Sequence, residues 1–315
     1  MGNGKSLDTV AIQKAIDACH AAGGGSVVFS NGRFLSGTIF LKSNVTLRIE
    51  TGAVLLSSAN IADFELKQPG ALKAPANGEV ADELGVHHMG HHLIYADNAQ
   101  NIAIEGGGTI DGQGDTYFDK DLKPRPRPSP LIELWNSRDI RIQDITILKT
   151  PGWAIHPKNC DRVKIRGISL INNFNAINTD GIDPDSSRNV IISDSYIEAG
   201  DDCIVLKTTN RGGEIRPTEN VTVTNCVLLS AASALKLGTE SWGDFRHSGD
   251  QNAAFGDHGD IAKTDVADVA ELRLLIASLN IELDRPLDAL APLRLRLHGD
   301  VLEPDILHRP AVFGE

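Results

Sequence analysis

Two short segments of this sequence place carboxylates where they could perform acid–base chemistry. The first reads Asn178-Thr179-Asp180-Gly181-Ile182-Asp183, and in the second Asp201 and Asp202 follow Gly200, 21 and 22 residues after Asp180. Two carboxyl groups can hydrolyse a glycosidic bond, because a protonated one donates to the leaving oxygen while an ionised one activates water. The segments can cooperate only if the fold returns the chain to the same place once in each repeat.

A repeat of this kind is present from residue 93 onward. A polar residue precedes an alternating strand at five positions, of which the last four are separated by 23, 27 and 31 residues: Asn101, Asp139, Arg162, Asn189 and Asn220. A second and a third short apolar segment follow the last four of these positions. Three strands in units of this length predict an all-β fold, a right-handed parallel β-helix in which successive coils stack into a solenoid.

The segments that flank the repeat predict caps and a tail. Residues 8–22 have the period of a helix, with Asp8 as the expected N-cap, and indicate a short N-terminal capping helix. The repeat stops after Phe245, and residues 264–280 carry a helical stripe. We expect a β-helix domain over residues 1–246, truncated at both ends, and a partly helical tail over residues 247–315 that does not continue the coils.

Charge and hydropathy exclude several kinds of partner. The net charge of −12 argues against nucleic acid and gives no long-range attraction to an acidic polymer, which would need local basic residues. No apolar run reaches the roughly 18 residues of a membrane span. The chain opens with Met1-Gly2-Asn3-Gly4-Lys5-Ser6, which lacks the pattern of a signal peptide. We therefore expect neither nucleic acid nor a membrane as partner.

The cysteines are interpreted first as small buried residues, since four scattered thiols do not form a disulfide framework: Cys19, Cys160, Cys203 and Cys226. A bridge between Cys203 and Cys226 is the one pairing that neighbouring coils would allow.

Two polar segments have a functional and a structural interpretation. Residues 87–92 contain two histidine pairs but no Cys or carboxylate at ligand spacing, which favours a polar loop over a metal site. Residues 112–130 contain a Pro-Arg-Pro-Arg-Pro run with Arg125 and Arg127, which cannot pair into a sheet. A solvated loop is favoured there over a cationic rim that holds an acidic ligand.

Stacking predicts that the two carboxylate segments meet. Alignment of the third strands on Ile155, Ile182, Ile204 and Leu235 puts four residues in one column: Trp153, Asp180, Asp202 and Ser233. Adjacent coils are about 4.8 Å apart, and Asp201 lies beside this column. Stacked carboxylates repel one another unless they are protonated, hydrogen-bonded or bound to a cation. From spacing alone, an acid–base site and a structural ladder that binds Ca²⁺ or caps turns fit equally well.

These motifs resemble the polygalacturonase-type enzymes of glycoside hydrolase family 28 over residues 2–246. The resemblance rests on the two carboxylate segments, on Asp8-Thr9-Val10-Ala11-Ile12-Gln13 with the Gly23-Gly24-Gly25 that follows, and on a glycine-rich segment at residues 106–114. It implies inverting hydrolysis of α-linked galacturonan or a related pectic polysaccharide without a metal or another cofactor. It also implies that Asp201 is the general acid, and that Asp180 and Asp202 hold and activate the water.

The resemblance further suggests residues that bind the substrate: Asn178, His156, Lys207, Lys236 and Ser233. The last of these stands in Ala232-Ser233-Ala234, where the family usually has Gly-His-Gly, and the Arg-Ile-Lys motif expected on the next coil is absent from the sequence after Arg246. Two alternatives therefore stay open, a carbohydrate-binding solenoid with little or no activity and a calcium-dependent enzyme that resembles pectate lyase. By the same resemblance we expect a monomer that is secreted or periplasmic.

Overall fold

The computed structural model describes residues 2–65, 90–210 and 214–246, together with the backbone of two short strands, Ile281–Leu283 and Leu295–Leu297. Three predictions fall outside the described residues: the histidines at positions 87 and 88, most of the excursion expected at residues 60–90, and the helical stripe at residues 264–280.

The chain forms a right-handed parallel β-helix, as the repeat predicts. Its first two sheets each contain eight parallel strands. The strands of sheet I are Asn3–Leu7, Gly32–Ser36, Ala53–Ser57, Thr109–Asp111, Thr146–Leu148, Ser169–Ile171, Tyr196–Ala199 and Val227–Ser230. The strands of sheet II are Gly25–Phe29, Val45–Ile49, Gln100–Glu105, Arg138–Gln143, Asp161–Arg166, Arg188–Ser193, Thr218–Thr224 and Phe245–Arg246.

Sheet III is interrupted at one coil. Its parallel strands are Ile39–Phe40, Ile94–Asp97, Ile132–Trp135, Ile155–Lys158, Ile204–Thr208 and Leu235–Ser241. The coil after Ile155–Lys158 contributes only single parallel bridges, at Ile182 and Asp185. The expected strand at residues 180–182 is thus reduced to a bridge, which is flanked by Gly181 and Pro184, two residue types that weaken strands.

The core is built from rows of aliphatic residues that repeat once per coil. On sheet II, one interior row contains five residues in register, all at most 1% exposed: Ile102, Ile140, Val163, Val190 and Val221. Burial of each such side chain stabilises the fold by about 1.5–3 kcal/mol, and β-branched residues suit a pleated strand. The alternating segments found in the sequence therefore set the register of the coils.

A polar residue at the second or third position of five sheet II strands has a backbone role. Asn101, Asn189 and Asn220 adopt φ values of 53°, 56° and 55°. This left-handed conformation is strained for most residues but accessible to Asn and Asp. It turns the chain into sheet II, which explains why an Asn or Asp so often stands there in the sequence.

The N-terminal end of the solenoid carries the predicted helix, Thr9–Ala21, whose buried residues are Ile12 and Ile16. Asp8 occupies the N-cap position, but its side chain makes no capping hydrogen bond. It accepts instead from the Gly2 N–H at 2.9 Å. The described part of the chain also contains short 3₁₀ helices at Ile61–Asp63 and Gly114–Tyr117. Among residues 2–65, 90–210 and 214–246, no helix is long and apolar enough to cross a membrane.

The last parallel strand of sheet III, Leu235–Ser241, meets the tail in an antiparallel pairing. Leu235 pairs with Leu295, and the strands Ile281–Leu283 and Leu295–Leu297 pair with each other. These two strands therefore do not extend the parallel coils.

The possible disulfide between Cys203 and Cys226 is wrong, because all four cysteines are free thiols. The Cys203 thiol donates to the Leu229 carbonyl at 3.1 Å and the Cys226 thiol to the Thr224 carbonyl at 3.2 Å. Cys160 and Cys203 are buried, as expected, whereas Cys19 and Cys226 are only partly buried.

Candidate active site

The predicted column of residues forms on sheet III. Parallel bridges join Ile155 to Ile182 and Ile182 to Ile204, and Ile204 pairs with Leu235. Two residues earlier on each coil, backbone N–H groups donate to the carbonyls of Asp180, Asp202 and Ser233, each at 2.9 Å. Trp153, Asp180, Asp202 and Ser233 therefore occupy successive coils of one column, about 4.8 Å apart.

Glycine permits this close stacking next to Asp180. A Cβ atom on Gly181 would lie 2.4 Å from the carbonyl oxygen of Cys203 on the next coil. Because backbone blocks that space, a larger residue at position 181 would push the Asp180 coil away from the Asp202 coil.

Asp180 and Asp202 are almost completely buried. In each side chain the Oδ1 atom is buried and has no hydrogen-bond partner among the described residues. Buried carboxylate oxygens are costly unless something satisfies them. Protons, water or a hydroxyl-bearing ligand would all satisfy these oxygens, which is the property that an acid–base site requires.

Asp201 lies beside the column and contacts Asn178. Asp201 Oδ2 accepts from the Asn178 backbone N–H at 3.1 Å, and the Asn178 side-chain amide is 3.5 Å from the same oxygen. Burial and the neighbouring charge of Asp202 raise the pKa of Asp201. The structure thus brings Asn178 to a carboxylate of the site, and Asp201 retains its proton to a higher pH than an ordinary aspartate.

Asp180 and Asp183 are both buried and lie on one short segment. Burial raises the pKa of Asp180 well above its ordinary value, and the positive charge of Lys207 opposes this rise. Burial also raises the pKa of Asp183, and the charge of Asp180 adds to the effect. Neither oxygen of Asp183 has a hydrogen-bond partner among the described residues. Asp183, on the same short segment as Asp180, therefore shares the proton balance of the site.

Lys236 contacts the column directly. Its ammonium donates to Asp202 Oδ2 at 2.7 Å, and the two residues lie on adjacent coils. Ser233, one coil above Asp202 in the column, is also buried. The structure therefore brings three of the predicted binding residues to the three catalytic candidates, namely Asn178, Lys236 and Ser233.

Lys207 also reaches the carboxylates but is not a solvated residue. Its ammonium lies 2.8 Å from Glu240 Oε2, 4.0 Å from Asp183 Oδ1 and 4.3 Å from the centroid of the Trp153 ring. Burial lowers the pKa of Lys207, but the charges of Asp183 and Glu240 outweigh it and raise the pKa above its ordinary value. Lys207 is therefore a fixed, buried cation.

The prediction that His156 contacts the substrate is wrong, because its ring is 0% exposed. Nδ1 lies 2.8 Å from Glu133 Oε2 and Nε2 lies 3.3 Å from Asp185 Oδ2. Burial lowers the pKa of His156, but the charge of Glu133 and the hydrogen bond with Asp185 raise it overall. Lys158, fully buried, donates to Asp185 Oδ1 at 3.0 Å. His156 therefore belongs to a buried network of charged side chains that links it to Glu133 on the coil before and to Asp185 on the coil after.

The arginine-proline loop is only partly solvated. Arg125 is exposed, whereas Arg127 is 2% exposed and lies 5.4 Å from the centroid of the Phe118 ring. Burial lowers the pKa of Arg127 to about 10, and the charge of Asp180 acts in the opposite direction. Arg127 is thus a buried cation near the carboxylates, and the solvated loop that the sequence favours is wrong for this residue.

The histidine segment is described only at its end. His92 is buried, and its Nδ1 lies 2.8 Å from the Pro130 carbonyl oxygen. Within the described ranges, no group of three or more His, Cys, Asp or Glu side chains is arranged to hold a metal ion.

Several residues of the site were missed by sequence reasoning: Glu133, Lys158, Asp185 and Glu240. The first three occupy outward positions of sheet III. Glu133 comes one residue after an interior isoleucine, whereas Lys158 and Asp185 each come three residues after one. Alternation could have placed them on this face, but it could not show that the face is buried at these points.

The fold and the column together define a parallel β-helix that gathers three carboxyl groups on adjacent coils of one sheet. Residues 45–231 match Glycosyl hydrolases family 28, and the chain belongs to this family.

Known relatives and structures agree with this assignment. The chain is 34% identical over 255 residues to a probable polygalacturonase of Vitis vinifera, covering 77% of this chain and 50% of the relative. It is 29% identical to an endo-polygalacturonase of Pectobacterium carotovorum subsp. carotovorum, and the match covers 76% of this chain and 60% of the relative. The solved structure of a polygalacturonase from Erwinia carotovora ssp. carotovora is similar, with a TM-score of 0.60 and 26% identity. The match covers 78% of this chain and 65% of that chain. The chain thus spans 50–60% of the length of these two curated relatives.

Proposed function

We propose that this chain hydrolyses α-glycosidic bonds in polygalacturonan or a related pectic polysaccharide by an inverting acid–base mechanism. The observation that carries the proposal is the stacking of buried Asp180 and Asp202 on adjacent coils with Asp201 beside them. Membership of Glycosyl hydrolases family 28 and similarity to polygalacturonases support the choice of substrate.

In this proposal Asp201 is the general acid. Its raised pKa keeps a proton available, and that proton passes to the glycosidic oxygen as the bond from this oxygen to the anomeric carbon breaks. A water molecule attacks the anomeric carbon from the opposite face and loses its proton to Asp180 or Asp202. Because a carboxylate with a raised pKa is a stronger base once ionised, the burial of Asp180 suits this role.

The cations near the carboxylates shape the electrostatics of the site. Lys236 neutralises part of the charge of Asp202, and Lys207 that of Asp180 and Asp183. Without them, three or more buried carboxyl groups within a few ångströms would all favour the protonated form. We infer that these lysines keep one carboxylate available as the base.

A second candidate function is carbohydrate binding without turnover. It is favoured by the residue on the coil after Asp202 in the column, which is an uncharged serine and not an acid or a base near neutral pH. Ser233 stands where the resemblance predicts a histidine. The calcium-dependent lyase remains a third prediction.

One assay separates these functions. The protein is incubated with polygalacturonate while new reducing ends and the ultraviolet absorbance of unsaturated products are followed together. The proposal predicts reducing ends without unsaturation. Unsaturated products that disappear with a chelator would favour the lyase, and binding with neither product would favour the carbohydrate-binding solenoid.

The Asp201→Asn variant tests the mechanism in the same assay. It is expected to abolish hydrolysis and retain binding, because the amide cannot donate the proton that the leaving oxygen needs. Asp139→Asn is the matched control, since Asp139 is a half-exposed residue that pairs with Arg162 at a corner of the solenoid. A full rate in Asp201→Asn would contradict the assigned role.

The organisation of the whole protein remains a prediction. We assign the activity to the β-helix of residues 1–246, and a monomeric state and a secreted or periplasmic location stay expectations from the family resemblance.

A further inference from the structure

Four successive coils of the solenoid converge on one buried ammonium group, that of Lys207. Two contacts come from the coils below: the Trp153 ring lies two coils below Lys207, and the Asp183 carboxylate one coil below. The third contact, the Glu240 carboxylate, comes from the coil above. The shortest of these contacts is the 2.8 Å ion pair with Glu240. A lysine side chain is a point charge on a flexible four-carbon stem, so its position depends on such contacts.

A local irregularity of sheet III brings Glu240 to this position. The strands Ile204–Thr208 and Leu235–Ser241 pair from Leu206 to Leu237, and then from Thr208 to Ser241. The single residue Lys207 therefore faces the three residues from Gly238 to Glu240. Bulges that insert extra residues into one strand redirect side chains, and they are frequent beside active sites.

The ion pair is shielded from solvent. The Lys207 side chain is 4% exposed and the Glu240 side chain 16% exposed. Charges in such surroundings interact more strongly than surface pairs, which are screened by water and salt. The cation–π contact with Trp153 adds a second restraint on the ammonium.

The fixed cation acts on the acid–base carboxylates. Burial raises the pKa of Asp180, and among the neighbouring charges that of Lys207 opposes this rise most strongly. The Lys207 charge also opposes the rise in the pKa of Asp183 and of Asp201 that burial causes. The same strand that supplies Glu240 also supplies Lys236, the partner of Asp202. One strand thus sets both cations of the site.

We propose that Glu240 is a positioning residue of the acid–base site, which holds the Lys207 ammonium over the Trp153 ring beside the Asp180–Asp183 segment. Glu240 acts through Lys207 and needs no contact with the sugar. This inference rests on the proposed hydrolysis, and it adds a residue to the site that the sequence motifs do not include.

Steady-state kinetics across pH test this role with Glu240→Ala, Lys207→Met and the double variant. Glu240→Ala is expected to lower kcat at least about tenfold, as misplaced catalytic groups do. KM should change by less than about twofold, because no substrate contact is lost. In Lys207→Met the acidic limb of the pH–rate profile should move to higher pH, because Asp180 loses the positive charge that opposes its protonation.

The double variant supplies the decisive comparison. If Glu240 acts through Lys207, adding Glu240→Ala to Lys207→Met causes no further loss of kcat. The positioning role would be overturned if the kcat losses of the two single variants multiplied in the double variant. It would also be overturned if Glu240→Ala changed KM alone, because that result indicates direct contact between Glu240 and the sugar.

Two controls keep failure of folding and failure of the proposed function distinct. Glu214→Ala removes the acid of an exposed 2.7 Å ion pair with Arg216 and should leave the kinetics unchanged. Glu240→Gln with Lys207→Met removes both charges of the ion pair at similar volume, so it should still unfold cooperatively in urea and still show low kcat. A wild-type chain without hydrolysis contradicts the proposed function, whereas an active wild type with an unaffected Glu240→Ala contradicts the positioning role alone.

Discussion

The ammonium of Lys236 lies 2.7 Å from Asp202 Oδ2, and it joins two adjacent coils at the centre of the carboxylate column. The second oxygen of Asp202 is buried without a hydrogen-bond partner among the described residues. The pair thus holds one oxygen of Asp202 in place and leaves the other oriented for a proton or a water molecule.

Loss of this pair should affect both stability and rate. In Lys236→Met, Asp202 stays buried without its cation, which is expected to cost up to about 3 kcal/mol in the free energy of unfolding. The variant should also lower kcat on polygalacturonate, because the charge balance of the column changes. Urea unfolding and steady-state kinetics measure the two effects. Lys236→Arg is the control that retains a cation, and an unchanged stability in Lys236→Met would contradict the importance of the pair.

The buried network around His156 should make stability depend on pH. Because the folded-state pKa of His156 is raised, its contribution is fully present below the unfolded value of about 6.5 and is lost as pH rises through the folded value. The pKa of Asp185 is lowered well below its ordinary value: burial alone would raise it, but the charge of Lys158 and the hydrogen bond with His156 outweigh that effect. The contribution of Asp185 is therefore present above the unfolded value of about 3.9 and is lost as pH falls through the folded value. Urea unfolding at a series of pH values measures both changes.

His156→Asn tests whether this network is structural. The variant should lose about 3–5 kcal/mol, because Glu133 is left buried without the imidazolium beside it, whereas Asp185 keeps the Lys158 ammonium. Its stability should no longer fall with rising pH above the ordinary histidine range. Binding of oligogalacturonides by the folded variant should be retained, and a selective loss of binding with normal stability would restore the original substrate-contact hypothesis.

Gly181 should tolerate no side chain. In Gly181→Ala the new Cβ meets the Cys203 carbonyl, and strain of this kind typically costs about 1–3 kcal/mol. The displacement should also separate Asp180 from Asp202 and lower kcat. Thermal unfolding and kinetics of the purified variant check both effects, and wild-type values in both would show that the coils are not packed as closely as described.

The thiols provide a simple check of the coil packing. Titration of the protein in denaturant without reductant should yield four reactive thiols per chain, because none of the cysteines is paired. Reductant should then have no effect on the unfolding midpoint. A yield of two thiols would indicate a disulfide, and the Cys203–Cys226 pairing would have to be reconsidered.

The sequence was sufficient to predict the register of the coils and the meeting of the carboxylates. Aliphatic residues at Ile155, Ile182, Ile204 and Leu235 mark one interior row, and counting two residues back from each gives the column. This works because every coil must bury the same row, so a slip would expose it. The left-handed residues near the start of five sheet II strands, three of which are Asn, add a second marker of the coils.

Burial and charge pairing could not be predicted in the same way. His156 and Lys207 follow the pattern of outward positions, which normally face solvent, yet both are buried among carboxylates from other coils. Glu240 escapes the column count because the irregularity after Leu206 shifts the register of its strand. Simple spacing does not encode such an irregularity, which depends on how two particular strands fit together.

The stereochemistry of the first product tests the central claim most directly. Proton NMR spectra recorded during hydrolysis of oligogalacturonides, before mutarotation equilibrates the anomers, identify the anomer released by the protein. Direct attack of a water molecule activated by Asp180 or Asp202, with Asp201 as the acid, predicts that the β-anomer appears first from an α-linked substrate. Initial release of the α-anomer, or of an unsaturated product, would contradict the mechanism.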